Sequence, residues 1–570
     1  NATIVFSSVG FTTAEVAVGN RSTIDITLNV DITSLDEIVV VGYGEQKKAT
    51  ITGAVAKVDG DIVREFATNN LSGSLVGQVP GLMVVNRSGE PGDDDSDIRI
   101  RGINTLNDAT ALIVIDGIAN RDGGLARLNP NDIESITVLK DASAAIYGAQ
   151  AANGVILVTT KRGKAGAPEL SFNLNVGANQ ATRLPDVLNA PDYAQALNEI
   201  DLYHYKLPEG RYTDDDLRKF ADGSDPWRYP NTDWYGETIK DWSAQGNANI
   251  SLSGGNVDGV TYFVSAGNTW EDSYFKNSAV GYNQYNFRTN IDAKIRKNIN
   301  LRFDVSGRQE KRQYTQERGD GTFRILYGMK PTEPAFWPKR STDEERLPGP
   351  DFEGGRNPAV TSTDVTGYNN SDNYVFQSNI GLDIDDLFTV EGLSFVANAA
   401  IDRSFEEHKN WRSPWILYQW DRTTMNENNE PDLQGSYKGG TAPELEEQRW
   451  RRNSFTGNMR LNYVKNIQNH GFGIMAGVER QTEEDYYVTA FRNEFVSDQL
   501  PYLDFGANNT NKTNTGGYET DLARLNYFGR ANYAFRDRYL FEFVFRYDGS
   551  QIFDPEYRWG FFPGFSAGWV

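Results

Sequence analysis

Residues 138–163 read V-L-K-D-A-S-A-A-I-Y-G-A-Q-A-A-N-G-V-I-L-V-T-T-K-R-G and predict one compact α/β unit. The apolar run at 136–139 predicts a short strand, and the β-branched run at 155–160 predicts a buried one. The small residues at 142–147 predict a helix between the two strands. After residue 164 the pattern changes, so this unit marks the end of one domain.

The ends of the predicted helix carry their own signals. Asp141 and Ser143 stand where an N-cap and a first turn need oxygen acceptors. Gly148 is placed to end the helix in the left-handed conformation, and Gly154 is placed to turn the chain into the second strand. None of these positions indicates catalysis.

From about residue 168 the apolar residues recur at every second position. At 283–295 one face is apolar (Tyr285, Phe287, Ile291, Ala293, Ile295) and the other is polar (Gln284, Asn286, Arg288, Asn290, Asp292, Lys294). The same alternation is found at 299–305, 374–384, 393–401, 455–463, 472–478, 527–535 and 539–547. A soluble sandwich keeps its polar faces outside, whereas a membrane barrel turns its apolar face to lipid and its polar face to the lumen.

The connections favour the barrel. Short connections are predicted near 255–258, 296–298, 386–392, 464–470 and 536–538, and long ones near 181–245, 314–372, 406–452 and 487–522. Short and long therefore alternate. Outer-membrane barrels alternate in this way, with tight periplasmic turns and long extracellular loops.

The amino-acid composition further limits the class of protein to which this chain can belong. The mean hydropathy is −0.55, and no run of 18 apolar residues predicts a membrane helix. Aromatic residues make up 12% of the chain, which suits the aromatic girdles of a barrel and also a soluble β protein with exposed aromatics. The absence of cysteine excludes disulfides and thiolate sites, and a net charge of −22 argues against nucleic-acid binding.

Four motifs occur in order: D-E-I-V-V-V-G-Y-G at 36–44, I-R-I-R-G at 98–102, A-L-I-V-I-D-G-I at 111–118, and the opening stretch. Together they resemble the plug region of the SusC/RagA family of TonB-dependent outer-membrane transporters. The resemblance implies a plug signature formed by Arg99, Arg101, Gly102, Asp116, Gly117, Lys140, Asp141, Tyr147, Gly148, Asn153 and Gly154.

The expected fold class is a membrane β-barrel, antiparallel, with an N-terminal α/β plug domain in its lumen. Residues 1–33 resemble the end of a carboxypeptidase-regulatory-like β-sandwich, 34–44 a TonB box, 45–165 the plug, and 166–570 the N-terminal half of the barrel. About twelve strands are predicted here, and a barrel that holds such a plug has about 22. No signal peptide is visible, so we expect a mature or trimmed start and a chain that holds the plug and the first strands.

The candidate TonB-binding residues are Asp36, Glu37, Ile38, Val39, Val40 and Val41. An extended β-branched segment can add as a strand to the edge of a partner's sheet, where backbone hydrogen bonds supply the affinity. From the residues alone, an ordinary edge strand is the better explanation. The position before the plug motifs favours the TonB box.

Within the plug, strands are predicted at 50–58, 82–86, 98–101 and 111–116, and a helix at 61–79. The acidic run at 93–97 is a weak calcium candidate through Asp93, Asp95 and Asp97. An EF-hand loop needs Gly and Glu at its sixth and twelfth positions, where this chain has Ile98 and Asn104. A solvated acidic loop is therefore the preferred interpretation, and no metal or cofactor is expected.

The long loops are rich in aromatic residues. The candidate ligand-binding side chains are Trp227, Trp234, Trp337, Trp411, Trp415 and Trp420. Flat aromatic faces can stack on sugar rings and can pack against peptide side chains. The structural alternative is that these rings hold the loops together or form an interfacial girdle.

The sequence carries no nucleophile elbow, Walker A motif or zinc-protease motif, and its three histidines are far apart, so we do not expect an enzyme. The resemblance implies TonB-dependent import of oligosaccharides through the outer membrane of a Gram-negative bacterium. It also implies a SusD-like surface lipoprotein as a lid, TonB energised by ExbB/ExbD, contact with outer-membrane lipid, and a dimer of transporter–lid pairs. Import of oligopeptides, or a surface receptor or scaffold without transport, stay open as alternatives.

Overall fold

The computed structural model contains a plug sheet and a larger antiparallel sheet that curves around it. It describes residues 3–8, 11–17, 24, 26, 38–47, 50–66, 70–103, 105, 109–256, 258–508 and 513–570. Within these ranges, no helix has the length and apolar character needed to cross a membrane.

Two hairpins precede the plug. Strands β1 (Thr3–Ser8) and β2 (Phe11–Ala17) pair antiparallel, and so do β3 (Ile38–Val41) and β4 (Gly44–Lys47). Of the region predicted as the end of a sandwich, most of 18–33 lies outside the described residues. The predicted extended segment is therefore the first strand of a hairpin, and its backbone bonds to the residues that follow it.

The plug is built on a mixed sheet and a separate hairpin. Its elements are β5 (Val55–Asp59), α1 (Gly60–Arg64), β6 (Leu82–Asn86), β7 (Ser96–Ile100), β8 (Leu112–Ile115), β9 (Ile118–Ala119), β10 (Ile133–Leu139) and β11 (Val155–Thr160). Five strands form the sheet in the order β5-β10-β11-β8-β9, in which β8 and β11 run parallel and the other neighbours antiparallel, while β6 and β7 form the hairpin. Short 3₁₀-helices lie at Gly73–Leu75, Pro130–Asp132 and Asp141–Ala151.

The plug sheet buries a different set of side chains on each face. On one face, Ile136 and Val138 belong to a cluster formed entirely by plug residues. On the other face, Leu139, Val155 and Leu157 pack with Met475, Phe528 and Val544 of the surrounding wall. The sheet therefore holds the plug together on one side and seats it on the wall on the other.

The opening stretch folds as two strands, as predicted, but the segment between them is not an α-helix. It is a 3₁₀ run whose N-cap is Lys140, without a side-chain capping bond. Gly148 lies inside this run with φ 67° and ψ −148°, which is a kink and not a left-handed cap. A Cβ at this position would lie 2.0 Å from Oδ2 of Asp548, so the close approach of the wall explains the glycine.

Two other plug predictions were only partly correct. The strand predicted at 50–58 begins at Val55. Of the helix predicted at 61–79, the described residues form α1 at Gly60–Arg64 and a single 3₁₀ turn at Gly73–Leu75, and 67–69 lie outside the described residues. The Asn70 side chain accepts from the Ser72 backbone N–H at 2.8 Å, and such local bonds compete with a helix. Gly77 adopts φ 73°, which also ends regular structure there.

Beyond the plug, twelve strands form one antiparallel sheet in chain order, with a hairpin of two further strands inserted in a loop. The sheet strands are β12 (Gly166–Asn179), β13 (Ser243–Gly255), β14 (Val260–Asp272), β15 (Gly281–Arg296), β16 (Ile299–Thr315), β17 (Gly367–Ile384), β18 (Leu393–Arg412), β21 (Glu444–Ile467), β22 (His470–Asn493), β23 (Thr513–Phe535), β24 (Tyr539–Ser550) and β25 (Trp559–Trp569). The inserted hairpin is β19 (Trp415–Gln419) with β20 (Gln434–Lys438). The number of strands matches the prediction, and the sheet is a partial barrel.

The alternation of side chains sorts the two faces of this sheet as a membrane barrel does. Tyr285 and Phe287 on β15 are 50% and 47% exposed on the outer face. Gln284 and Asn290 of the same strand are buried on the inner face, towards the plug. The apolar side is therefore outside and the polar side inside, the reverse of a soluble sandwich.

The connections alternate between short and long, as predicted. The short side has connections at 256–259, 297–298, 385–392, 468–469 and 536–538. The other side has long loops at 180–242, 316–366, 413–443 and 494–512, and shorter ones at 273–280 and 551–558. The loops predicted at 406–452 and 487–522 are shorter in the structure. The strands that flank them continue past the segments in which apolar and polar residues alternate.

The long loops contain short helices. These are α2 (Ala190–Glu199), α3 (Asp214–Asp222), α4 (Trp234–Thr238), α5 (Gly319–Gly328) and α6 (Pro358–Thr361). Helix α3 begins with a capping box in which Thr213 and Asp216 satisfy each other's backbone N–H groups. It ends at Gly223 in the left-handed conformation.

The outer face gives a direct test. Replacing Ile380, which is 51% exposed in the middle of the outer face of β17, by arginine should cost about 2–4 kcal/mol, because the charge would face lipid. The amount of heat-modifiable protein in the outer-membrane fraction should fall. Tyr437→Arg in the exposed loop hairpin is the matched control and should leave that amount unchanged. Equal yields of the two variants would contradict the assignment of the outer face.

Candidate functional site: the plug–wall contact and the lumen

The candidate TonB box is held inside the structure by its hairpin. Asp36 and Glu37 lie outside the described residues. Val39 and Val41 are buried. The turn that follows approaches the plug closely, since a Cβ on Gly42 would lie 2.2 Å from Cγ2 of Ile146. A larger residue at 42 would push this hairpin off the plug.

Tyr43, at the tip of the hairpin, joins the plug to the wall. Its ring stacks on Phe528 of the wall at 4.3 Å between centroids and on Tyr147 of the plug at 5.2 Å. Its hydroxyl donates to Oε2 of Glu479 at 2.7 Å. Burial, and then the Glu479 carboxylate, raise the pKa of Tyr43 well above its usual value, so the phenol keeps the proton that it donates.

Arg546 completes the arrangement from β24. Its guanidinium donates to the Tyr43 hydroxyl at 3.2 Å, to the Ile146 carbonyl at 3.1 Å and to Glu479 at 2.8 Å. Charge-assisted bonds of this kind, shielded from water, are the strong ones. We call Tyr43, Tyr147, Glu479, Phe528 and Arg546 the Tyr43 latch. It pins the candidate TonB box to the plug and to the wall at the same time.

Further ion pairs fix the rest of the plug to the wall. Arg121 of the plug binds Asp402 of β18 through two hydrogen bonds of 3.0 and 3.1 Å, and both side chains are buried. Arg162 donates to Asp292 at 2.8 Å and to Asp304 at 2.8 Å. In the opposite sense, Arg288 of the wall lies 3.5 Å from Asp116 and 3.7 Å from Asp132 of the plug.

Most residues of the predicted plug signature shape turns of the plug. Arg101 and Asp116 adopt positive φ, as do the glycines 102, 117, 148 and 154. Both oxygens of Asp116 accept from Thr160, from its N–H at 3.0 Å and from its hydroxyl at 2.9 Å. The Lys140 ammonium donates to the Pro80 carbonyl. Arg99 pairs with Asp97, Asp141 begins the 3₁₀ run, and Asn153 lies in the turn before β11.

The acidic plug loop is neutralised by arginines. Asp93 pairs with Arg318 at 2.5 Å, Asp94 and Asp95 both pair with Arg127, and Asp97 pairs with Arg87 and Arg99. The described ranges contain no group of three metal-ligating side chains. The calcium candidate Asp93, Asp95 and Asp97 is therefore a set of ion pairs in this structure.

The loop tryptophans form the cores of the loops. Trp227, Trp337 and Trp420 pack together, with centroids 5.9 to 6.2 Å apart. Trp234 and Trp411 are buried in two other clusters. Trp415 donates to the Gly355 carbonyl at 3.2 Å. Burial leaves no free face on Trp234, Trp337, Trp411 and Trp420 in this conformation, so their predicted stacking on a ligand needs the loops to open.

The sequence did not point to the aromatic residues that line the lumen. Trp450, Tyr487 and Tyr518 lie on strands β21, β22 and β23, in segments predicted as loops. Above the membrane both faces of a strand meet water, so the alternation that identifies the strands further down is lost. These residues could have been found only by noticing that aromatic side chains occupy paired positions on neighbouring strands. That comparison requires the strand register, which the sequence does not give.

Comparisons with known proteins agree with this arrangement. The family model for the TonB-dependent receptor plug domain matches residues 47–155. The chain is 31% identical to the TonB-dependent receptor SusC of Bacteroides thetaiotaomicron over 99% of its own length and 54% of the relative. It is 29% identical to the TonB-dependent receptor P26 of Formosa agariphila, over 99% of this chain and 53% of that one. The chain thus spans about half the length of the curated relatives it matches.

The fold comparison points the same way. A structure of the RagAB peptide importer in its open-open state superimposes with a TM-score of 0.73 at 23% identity, over 92% of this chain and 58% of that one. Plug, partial barrel and buried plug–wall contacts define a plug-containing β-barrel receptor. Together with the sequence matches they make the chain SusC/RagA-like, with the plug domain of a TonB-dependent receptor and part of a barrel wall.

The buried ion pairs give a second test. Asp402→Asn leaves the Arg121 guanidinium buried without its counter-charge, which costs about 3–5 kcal/mol when a buried pair is broken. Hydrogen exchange should become faster in the plug around residues 118–128. Asp215→Asn breaks an exposed pair in helix α3 and should leave plug exchange unchanged. Unchanged exchange in Asp402→Asn would show that this pair does not hold the plug.

Proposed function

We propose that the protein is an outer-membrane importer of oligosaccharides, driven by TonB. The observation that carries this proposal is the Tyr43 latch, which ties the candidate TonB box to the plug and to the barrel wall. Because the candidate TonB box is attached in this way, a force applied to it from the periplasm is transmitted to the plug. A barrel that served only as a scaffold would have no use for such a coupling.

The steps follow from the contacts. Residues 36–41 leave the hairpin and add as a strand to the sheet edge of TonB, which ExbB/ExbD energise. The Tyr43 ring is withdrawn from between Tyr147 and Phe528, and Glu479 and Arg546 lose the hydroxyl that they share. The plug is then held by its ion pairs and by the apolar contact of its sheet with Met475 and Val544, and a path opens along the wall when these contacts give way to water.

The extracellular side suits a lid. Long loops with their own buried cores stand on one side of the barrel only, and they form a preorganised rim around the lumen. We propose that a SusD-like surface lipoprotein closes on this rim, in a dimer of transporter–lid pairs. The RagAB structures are described as those of a peptide importer, and at 23% identity they support the fold and not the ligand.

Deleting residues 37–41 should abolish uptake while leaving ligand binding intact. The deletion removes the segment proposed to bind TonB and leaves the residues that line the lumen in place. The measurement is uptake of a panel of labelled neutral hexasaccharides by whole cells, with binding measured on the detergent-extracted protein. Deleting residues 12–16, in the first hairpin, is the control of equal length and should preserve uptake. Uptake at the parental rate without residues 37–41 would refute the coupling role.

A further inference from the structure

Four aromatic rings form a continuous row across the inner side of the barrel wall. His408, Trp450, Tyr487 and Tyr518 come from β18, β21, β22 and β23, one from each strand. Consecutive ring centroids lie 4.9, 4.8 and 5.2 Å apart. We call these residues the lumen aromatic row.

The strand register places this row on the lumen side. Trp450 is directly opposite Tyr487, and Tyr487 is directly opposite Tyr518. On the same strands, the alternate positions point outwards: Phe455 and Tyr527 are exposed on the outer face. Since positions of equal parity share a face of a strand, Trp450 and Tyr518 lie on the opposite, inner face.

A cavity of about 420 Å³ lies against the row, large enough for part of an oligomeric ligand. Trp450, Tyr487 and Tyr518 line it together with Arg452 and Asp485 of the wall and Asp122 of the plug. The cavity therefore joins the barrel wall to the plug.

The charges around this cavity are paired with one another. Arg452 donates to Asp485 at 2.9 Å, to Glu483 at 2.8 Å and to Asp122 at 3.3 Å. The His408 ring lies 2.8 Å from Glu406, which also accepts from the Ser371 hydroxyl at 3.1 Å. A ligand that enters meets aromatic rings beside carboxylates that already have hydrogen-bond partners, with three carboxylates sharing the one guanidinium of Arg452.

We propose that the lumen aromatic row is a binding subsite for a neutral oligosaccharide, which deepens the proposed function and rests on it. The C–H face of a pyranose packs on the electron-rich face of an aromatic ring. Trp450, Tyr487 and Tyr518 are tilted by 35° and 39° to one another, and His408 meets Trp450 edge to face, so a sugar chain meets a stepped aromatic surface along the row. The paired carboxylates keep free lone pairs that accept from sugar hydroxyls.

The same charges disfavour an anionic group. Such a group, for example the terminal carboxylate of a peptide, needs a counter-charge when it leaves water. Arg452 already serves three carboxylates, and Glu406 is bound by His408 and Ser371. Neutral hydroxyl groups can use these side chains without displacing their partners.

The subsite also has a route to the plug. Arg452 bonds Asp485 and Glu483 of β22 on one side and Asp122 of the plug on the other. A sugar hydroxyl that bonds Asp485 changes the partners of Arg452, and with them its hold on Asp122. Occupation of the row is thus linked to one of the contacts that seat the plug.

The test uses the full-length protein in detergent, with neutral hexasaccharides of glucose, mannose, xylose, galactose and fructose units and a random octapeptide pool as probes. At least one hexasaccharide should bind. Trp450→Ala and Tyr518→Ala should each weaken that binding about tenfold or more. Trp450→Tyr keeps an aromatic face and should stay within about threefold of the parent. Isothermal titration calorimetry gives the affinities.

Phe455→Ala and Tyr527→Ala remove outward-facing rings from the same strands and are the matched controls, expected to leave binding unchanged. Heat-modifiable migration shows that each variant is folded. Hexasaccharide binding that survives Trp450→Ala and Tyr518→Ala overturns the subsite, and so does binding of octapeptides alone or of no probe. TonB-dependent uptake of peptides would overturn the subsite and keep an importer, whereas no TonB-dependent uptake of any probe would overturn the importer itself.

Discussion

The inner side of the barrel wall is largely polar, with an apolar patch at Met475, Phe528 and Val544, and the plug has to fit that surface. Lipid takes the apolar side chains outwards, so Arg288, Asn290 and Asp304 face inwards. On the plug, Arg121, Arg162 and Asp116 form ion pairs with charged residues of the wall. The plug therefore keeps its own apolar core on one face of its sheet, and it is seated on the wall by ion pairs and by the apolar contact with Met475, Phe528 and Val544. When the plug moves, the charged groups of its ion pairs can bind water in place of each other. The apolar core inside the plug can remain packed during that movement.

Strand β22 connects the two ends of this arrangement. Glu479 takes part in the Tyr43 latch. Glu483 and Asp485, four and six residues further along the same strand, hold Arg452 beside the lumen aromatic row. The side where a ligand would enter and the segment that TonB would pull are thus joined by inward-facing acids of one strand. Because the three acids lie on one strand, their positions relative to one another along the wall are fixed.

The sequence predicted the structure best in those segments where a single physical constraint decides which side chains are apolar. Alternation predicted the faces of β15 and the twelve strands because lipid imposes period two over a fixed depth. It failed for the upper parts of β21 and β22, where water meets both faces. Local signals at 61–79 predicted a helix, but the Asn70 bond to Ser72 and the conformation of Gly77 interrupt it. The pairing of Arg452 with Asp122 joins residues far apart in the chain, and no local pattern carries such information.

The hairpin of β3 and β4 has a mechanical consequence. Ile38 is paired with Lys47 at the open end, and Val41 with Gly44 at the turn. A force applied before Ile38 and resisted after Lys47 acts across the open end, so the ladder unzips one pair at a time and never shears as a whole. Resistance then rises at the last step, where the turn carries Tyr43 between its two rings. Low force would loosen the strand, and a distinct threshold would release the plug.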